Sequence, residues 1–406
     1  MRIGIDCRTI LNPGYGEAAG VGHYTFFLVS NLLRIDKKNE YVLFFDNLLS
    51  KDAAEEMIEG AENVKIKFFP FHQYKHYLPF AFSHILTASA LQKEELDIFH
   101  SPAYTLPLAY RGKSIVTVHD LAIYKNPKWF PKNFLVGQSF STKTLVPKSL
   151  KKATKIIAVS KNTKKDITEI FKINSEKVEV IYEGVEFRNL PGKLETACGV
   201  ESEICFEDLK VKYDIKNNYV LFLGTIEPRK NIPALVHAFC GLISENKNLE
   251  QKYQLIIAGA KGWKYENVFK EIEACQKKLG ARGEIKYIGY VPGREKFTLM
   301  KGATCFVFPS FYEGFGLPVL EALSLGVPTV TSDKSSLPEI VGSAAILVDP
   351  EKKIEILEAL KKILTDKNLQ EEMGKRGVVQ AEKFNWKKCA EETLRIYEET
   401  GNVKQK

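Results

Sequence analysis

The stretch C-F-V-F-P-S-F-Y-E-G-F-G-L-P-V-L-E-A-L-S-L-G-V-P, residues 305–328, decides the fold. Its apolar opening has the density of a strand buried on both faces. A helical pattern follows, with Pro318 suited to the first turn and Gly326 to the position past the last. The loop Gly314–Gly316 therefore brings bare N–H groups to a helix start, where an anion is favoured. Glu313 precedes the glycines and Glu321 lies eight residues further on. A carboxylate beside an anion site is costly unless a neutral, hydroxyl-rich group such as a ribose or hexose separates the two. A Glu placed for the helix dipole alone is the simpler reading. It accounts for neither the glycines nor the second acid.

Outward from this unit, apolar runs of strand length alternate with helical patterns. Strands are predicted at Arg2–Asp6, Tyr41–Phe45, Val64–Phe69, Asp97–His100, Ser114–His119, Lys155–Ser160 and Glu179–Tyr182. After a charged, Gly- and Pro-bearing stretch over 186–212, read as a linker or surface excursion, the alternation restarts. Strands follow at Tyr219–Leu223, Gln254–Ala258, Glu284–Ile288, Cys305–Phe308, Thr329–Thr331 and Ala345–Val348. The pattern is α/β: two doubly wound domains, residues 1–190 and 213–384, with their ligand sites beyond the carboxyl ends of the strands. Helical patterns at Ile354–Thr365, Leu369–Phe384 and Asn385–Glu399 close the chain.

Composition bounds the function. The 406 residues are 45% hydrophobic and 27% charged, which excludes disordered and collagen-like classes. The net charge of +8 is too small to argue for nucleic acid as a partner. No apolar run approaches membrane-span length, and M-R-I-G-I-D-C-R reads as an immediate strand rather than a signal peptide, so a cytoplasmic location is expected. The cysteines (Cys7, Cys198, Cys205, Cys240, Cys275, Cys305, Cys389) lack metal-ligand spacing, as reduced thiols would.

Three further loops carry chemistry. The first, N-P-G-Y-G-E-A-A-G-V-G-H-Y over 12–24, enters a helix but fits neither the dinucleotide fingerprint nor the P-loop, which disfavours NAD-linked oxidoreduction. The second, S-I-V-T-V-H-D, sets His119 and Asp120 at a strand end, and His100 stands at another. A lone His is more often satisfied by backbone than by a ligand. The third, V-L-F-L-G-T-I-E-P-R-K-N over 220–231, ends a buried strand at Gly224 and then presents Arg229 and Lys230. Arg grips a diphosphate bidentately and Lys supplies a point charge.

E-G-F-G-L-P-V-L-E resembles the E-x7-E motif of the retaining glycosyltransferases of family GT4. E-P-R-K-N, G-V-P-T-V-T-S, L-P-E-I-V-G, A-G-V-G-H-Y, V-H-D and A-V-S-K extend the similarity over nearly the whole chain. The resemblance implies a GT-B fold, with two Rossmann-like domains facing across a cleft. The first would take the acceptor and the second the donor nucleotide, and the closing helix, residues 385–406, would pack back on the first. It implies that Glu313 contacts donor-sugar hydroxyls, Glu321 holds the ribose, and Arg229 and Lys230 neutralise the leaving diphosphate. It sets amides around Gly314, Phe315, Gly316 and Leu317, and Gly224, at the donor, Gly20 and Gly22 at the phosphates, and His119 beside the transferred sugar. Ala19 and His23 depart from the Gly and Arg that many relatives carry there.

The implied reaction moves a hexose, with mannose from GDP-mannose as the expected donor, to a hydroxyl of a glycan or lipid-linked acceptor. It proceeds with retention, and no metal or other cofactor is expected. A sugar-nucleotide epimerase and a non-catalytic nucleotide-sugar-binding scaffold are the alternatives. Between Lys128 and Lys172 there are 11 Lys against Asp166 and Glu169, so the segment carries 11 − 2 = +9. With the aromatic stretch 72–82, this raises peripheral contact with anionic membrane as a second expectation, against a solvated helix face.

Overall fold

A computed structural model of the chain describes residues 1–11, 20–58, 60–70, 80–133, 141–185 and 205–402. The glycines at 14 and 16, most of the aromatic stretch 72–82 and residues 186–204 of the predicted linker lie outside them.

Thirteen parallel strands form two sheets among the described residues. The first contains β1 (Arg2–Asp6), β2 (Glu40–Asp46), β3 (Val64–Phe69), β4 (Ile98–Ser101), β5 (Ser114–Val118), β6 (Lys155–Ala158) and β7 (Val178–Val180), in the order β3-β2-β1-β4-β5-β6-β7. The second contains β8 (Asn218–Leu223), β9 (Tyr253–Ala258), β10 (Glu284–Gly289), β11 (Cys305–Phe308), β12 (Thr329–Ser332) and β13 (Ile346–Val348), in the order β10-β9-β8-β11-β12-β13. Helices cover both faces, so the central strands are apolar throughout: Ile3, Ile5, Val220, Leu221, Phe222 and Cys305 to Phe308 are inaccessible to solvent. Each sheet reverses direction at one place, between β1 and β4 and between β8 and β11. At such a point adjacent loops diverge and leave a crevice, and ligands of open α/β sheets bind there.

Pro318 opens the helix Leu317–Ser324 and Gly326 follows it at φ +70°. The end of the predicted linker is instead a helix, Phe206–Tyr213. Eight residues are too few to show a period, and what fixes the helix is non-local: Leu209 is buried and the Phe206 ring occupies the space beside Gly302. The helix Phe80–Gln92 also has no counterpart in the sequence reading, because F-A-F-S-H-I-L-T-A-S-A-L-Q segregates no polar face.

The closing helix, Trp386–Asn402, lies on the first sheet's layer. Trp386 stacks on Phe27 (centroids 5.4 Å apart, planes 13°), and His23 packs edge-on to the same indole. His23 thus belongs to this aromatic seam. Tyr397 Oη meets His100 Nδ1 at 2.6 Å, and His100 Nε2 meets Thr117 Oγ1 at 2.8 Å. Burial pushes the His100 imidazole down to about 3, so it is neutral and structural. Where the chain returns, Gly184 presses on the backbone of Asn385 and Trp386, and a Cβ there would meet Asn385 C and Trp386 N at 2.3 Å. Backbone cannot swing aside as a side chain can. Gly184→Ala is therefore expected to lower stability by about 1–3 kcal/mol, read as a lower urea midpoint at unchanged slope.

Candidate functional site at the two switch points

Arg229 and Lys230 sit just past β8 in a single 3-10 turn, Pro228–Lys230. Pro228 opens the turn, and Asn231, at φ +54°, redirects the chain into the helix Ile232–Glu245. Arg229 donates to Glu227 Oε1 from Nε (3.0 Å) and Nη2 (2.7 Å), and from Nη1 to the Tyr312 carbonyl (3.1 Å) and Glu313 Oε2 (3.3 Å). Lys230 Nζ donates to Glu313 Oε1 at 2.7 Å, and Ser310 Oγ donates to the same oxygen at 2.6 Å. Asp120 of V-H-D comes within 3.9 Å of Arg229 from the other sheet.

Glu313, Lys230 and Glu227 are each under a tenth exposed. Burial opposes the charge on Glu313, but Arg229 and Lys230 outweigh it and hold the carboxyl below its usual range. Burial likewise pulls the Lys230 ammonium down against the attraction of Glu313. At 2.7 Å, with Arg229 also fixing the carboxylate charge, the contact is an ion pair. Two cations thus face three carboxylates. An incoming anion can take up Arg229 and Lys230 by competing with carboxylates already in place, so the cations are oriented in advance.

The turn after β11 that carries Glu313 is fastened from beneath. Glu313 N donates to Ser335 Oγ at 2.9 Å. Ser336 Oγ lies 3.0 Å from the Glu313 carbonyl and 2.7 Å from that of Phe315. Gly316, at φ +116°, turns the chain into the helix, so Gly314, Phe315, Gly316 and Leu317 form the bend at its start. Glu321 is buried within that helix, with Lys296 Nζ 2.5 Å from its Oε1. Gly224 follows β8, and its N–H donates to the Ala258 carbonyl at 3.0 Å.

From the first sheet, the His119 carbonyl backs onto Gly314 so closely that a Cβ on Gly314 would stand 1.7 Å from it. The His119 ring turns inward: Nε2 lies 2.8 Å from the Pro102 carbonyl and Nδ1 3.0 Å from Glu183 Oε1. A carbonyl only accepts, so Nε2 carries a proton. Gly20, at φ +69°, and the buried Gly22 open the helix Gly20–Ile35 beyond β1; the loop before them is outside the described residues. The structure brings Arg229, Lys230 and Glu313 into one cluster, with His119 and Gly314 at its interdomain face and Glu321 in the helix behind the bend.

Glu227, Ser310, Tyr312, Glu183, Lys296, Ser335, Ser336 and Glu339 are not among the predicted site residues, although Glu339 lies within L-P-E-I-V-G. Glu227 was visible in E-P-R-K-N, two residues from its partner, and a carboxylate beside a cation pair is a usable signal. Tyr312 Oη donates to Asp166 Oδ2 at 2.7 Å, 146 residues away, which no local pattern announces. A cavity of about 340 Å³ borders this contact, with Trp129, Phe311, Tyr312, Asn162 and Lys334 among its walls.

Residues 18–188 match the family described as Glycosyltransferase Family 4, and residues 206–379 match Glycosyl transferases group 1. O-antigen chain mannosyltransferase B of Escherichia coli is 33% identical over 311 residues, covering 76% of each chain. The serotype-specific mannosyltransferase WbdA of Escherichia coli is 29% identical over 72% of this chain, which spans 34% of that longer protein. Among solved structures, sucrose-phosphate synthase from Thermosynechococcus elongatus superposes with a TM-score of 0.72 at 18% identity, covering 98% of both chains. Anabaena HepE in complex with UDP-glucose gives 0.68 at 15% identity, covering 98% of this chain and 100% of that one. These structures share the two-sheet GT-B architecture. The paired switch-point crevices, the E-x7-E turn and this relatedness place the chain in glycosyltransferase family 4, as a glycosyltransferase of the GT-B fold.

Proposed function

We propose that the chain transfers mannose from GDP-mannose to a hydroxyl of a glycan or lipid-linked acceptor, with retention and without a metal cofactor. The observation that carries this reading is the buried cluster of Arg229, Lys230 and Glu313 at the second switch point. Mannose is supported by relatives named as mannosyltransferases. A nucleotide-sugar donor is supported by the UDP-glucose complex of a protein with this fold.

Departure of the nucleoside diphosphate builds negative charge on the β-phosphate and positive charge on the anomeric carbon. Arg229 and Lys230 are the groups assigned to the first charge, supplying the role that a divalent ion fills elsewhere. Glu313, held by the same two cations, accepts bonds from sugar hydroxyls. Glu321 accepts from the ribose diol, with Lys296 beside it to balance the carboxylate. Gly224, the amides of Gly314, Phe315, Gly316 and Leu317, and Gly20 and Gly22 on the opposite side, complete the donor contacts. His119 reaches a sugar hydroxyl by exchanging its bond to Pro102. The departing phosphate takes the acceptor proton on the same face, so no protein base is assigned.

The basic run from Lys128 to Lys172 supports peripheral docking on anionic lipid: Lys151, Lys152, Lys161, Lys165 and Lys172 are all exposed. Among the described residues, no helix is long and apolar enough to cross a membrane.

Two outcomes follow. Arg229→Ala should lower kcat for GDP-mannose by about 100- to 1,000-fold, the loss expected for one preorganised charge donor, with unchanged circular dichroism. Wild-type turnover in the folded variant would end the diphosphate assignment. The chain should cosediment with phosphatidylglycerol liposomes and release them at high salt. Binding indifferent to anionic lipid content would end the docking proposal.

A further inference from the structure

The segment after β12, residues 333–341, touches both halves of the molecule. On one side Ser335 and Ser336 fasten the Glu313–Phe315 turn, as described. Ser335 does so at φ +55°, a conformation costly for a residue with a Cβ, so the backbone there is held by its surroundings. On the other side, the helix Leu337–Val341 aims Glu339 out of its own domain. Glu339 Oε2 accepts from Lys161 N at 3.0 Å and from Tyr182 Oη at 3.0 Å, and Oε1 accepts from Asn162 N at 3.1 Å. Lys161 and Asn162 are the first residues of the helix Lys161–Phe171, whose amides have no partner within the helix. Ser160 caps Thr163 N, and the carboxylate from the opposite domain satisfies the two amides before it. Thr163 Oγ1 in turn lies 3.2 Å from the Gly314 carbonyl, so the same helix start meets the Glu313 turn directly.

We propose that Glu339 is a positioning residue that makes the placement of Glu313 conditional on docking of the two domains. When the domains separate, Glu339 loses three donors and the helix loses its capping carboxylate. The segment carrying the Ser335–Ser336 support under Glu313 then loses its anchorage to the helix Lys161–Phe171. The donor-binding turn is therefore fully assembled only in the closed arrangement, which keeps an activated sugar from meeting water in an open cleft. That consequence rests on the reading of Glu313 as a donor-sugar contact. The coupling itself does not, and it can be read without activity.

The test is hydrogen exchange by mass spectrometry on the full-length, ligand-free chain, comparing wild type with Glu339→Ala and Glu339→Gln. In Glu339→Ala, peptides covering 159–165 and 309–316 should exchange about tenfold faster, while β9 and the helix Ile232–Glu245 keep their wild-type rates. Glu339→Gln, which retains one accepting oxygen, should fall between. A uniform rise across all peptides would mark Glu339 as merely stabilising and overturn the proposal. So would faster exchange at 159–165 with 309–316 unchanged. In parallel, GDP-mannose hydrolysis by Glu339→Ala should fall about tenfold while the GDP dissociation constant stays within about threefold. Altered exchange at 309–316 with wild-type hydrolysis would leave the coupling standing and contradict the role given to Glu313.

Discussion

One carboxylate organises the loops after β8 and β11. Glu313 is nearly inaccessible, yet it is held ionised by Lys230 at 2.7 Å and Arg229 at 3.3 Å. Removing Glu313 would deprive both cations of their shared partner, an unfavourable outcome of several kcal/mol by comparison with other buried pairs, whereas loss of either cation leaves the other beside the carboxylate. The cluster fixes the direction of both cations before any substrate arrives. The backbone around it is unusual as well: Asn231 and Ser335 are in left-handed conformations, and a methyl group on Gly314 would collide with the opposite domain.

The fold makes this cluster possible by putting two sheet reversals face to face. Loops after β8 and β11 bring the cations and the acid; loops after β4 and β5 bring Pro102, His119 and Asp120. Aromatic packing also joins residues of the two halves. Trp129 stacks on Phe311, Phe130 stacks on Trp263, and Trp263 Nε1 donates to the Trp129 carbonyl at 2.9 Å.

The central strands could be read from the sequence because a parallel strand covered on both faces is apolar, and edge strands such as Val64–Phe69 by their short apolar alternation. Residues such as Val220–Leu223 or Cys305–Phe308 tolerate few other readings. The E-x7-E turn could be read because its proline, glycines and acids fall within one short window. What escaped has a common cause. Glu339 bonds residues 177 and 178 positions away, Tyr312 bonds Asp166, and Glu183 bonds His119 across 64 residues. A pairing between separate loops leaves no period and no spacing in either loop. His119 shows the limit from the other side. Its position at a strand end was readable, but the inward turn of its ring towards Pro102 and Glu183 was not.

The central claim is that Arg229 and Lys230 recognise a second phosphate. It is tested most directly by the affinities of GDP and GMP for the wild-type chain and for Lys230→Ala, measured calorimetrically at fixed salt. The account predicts that the wild-type chain binds GDP at least about tenfold more tightly than GMP, and that this gap largely closes in Lys230→Ala. Equal affinities in the wild type, or a gap untouched by the substitution, would contradict it.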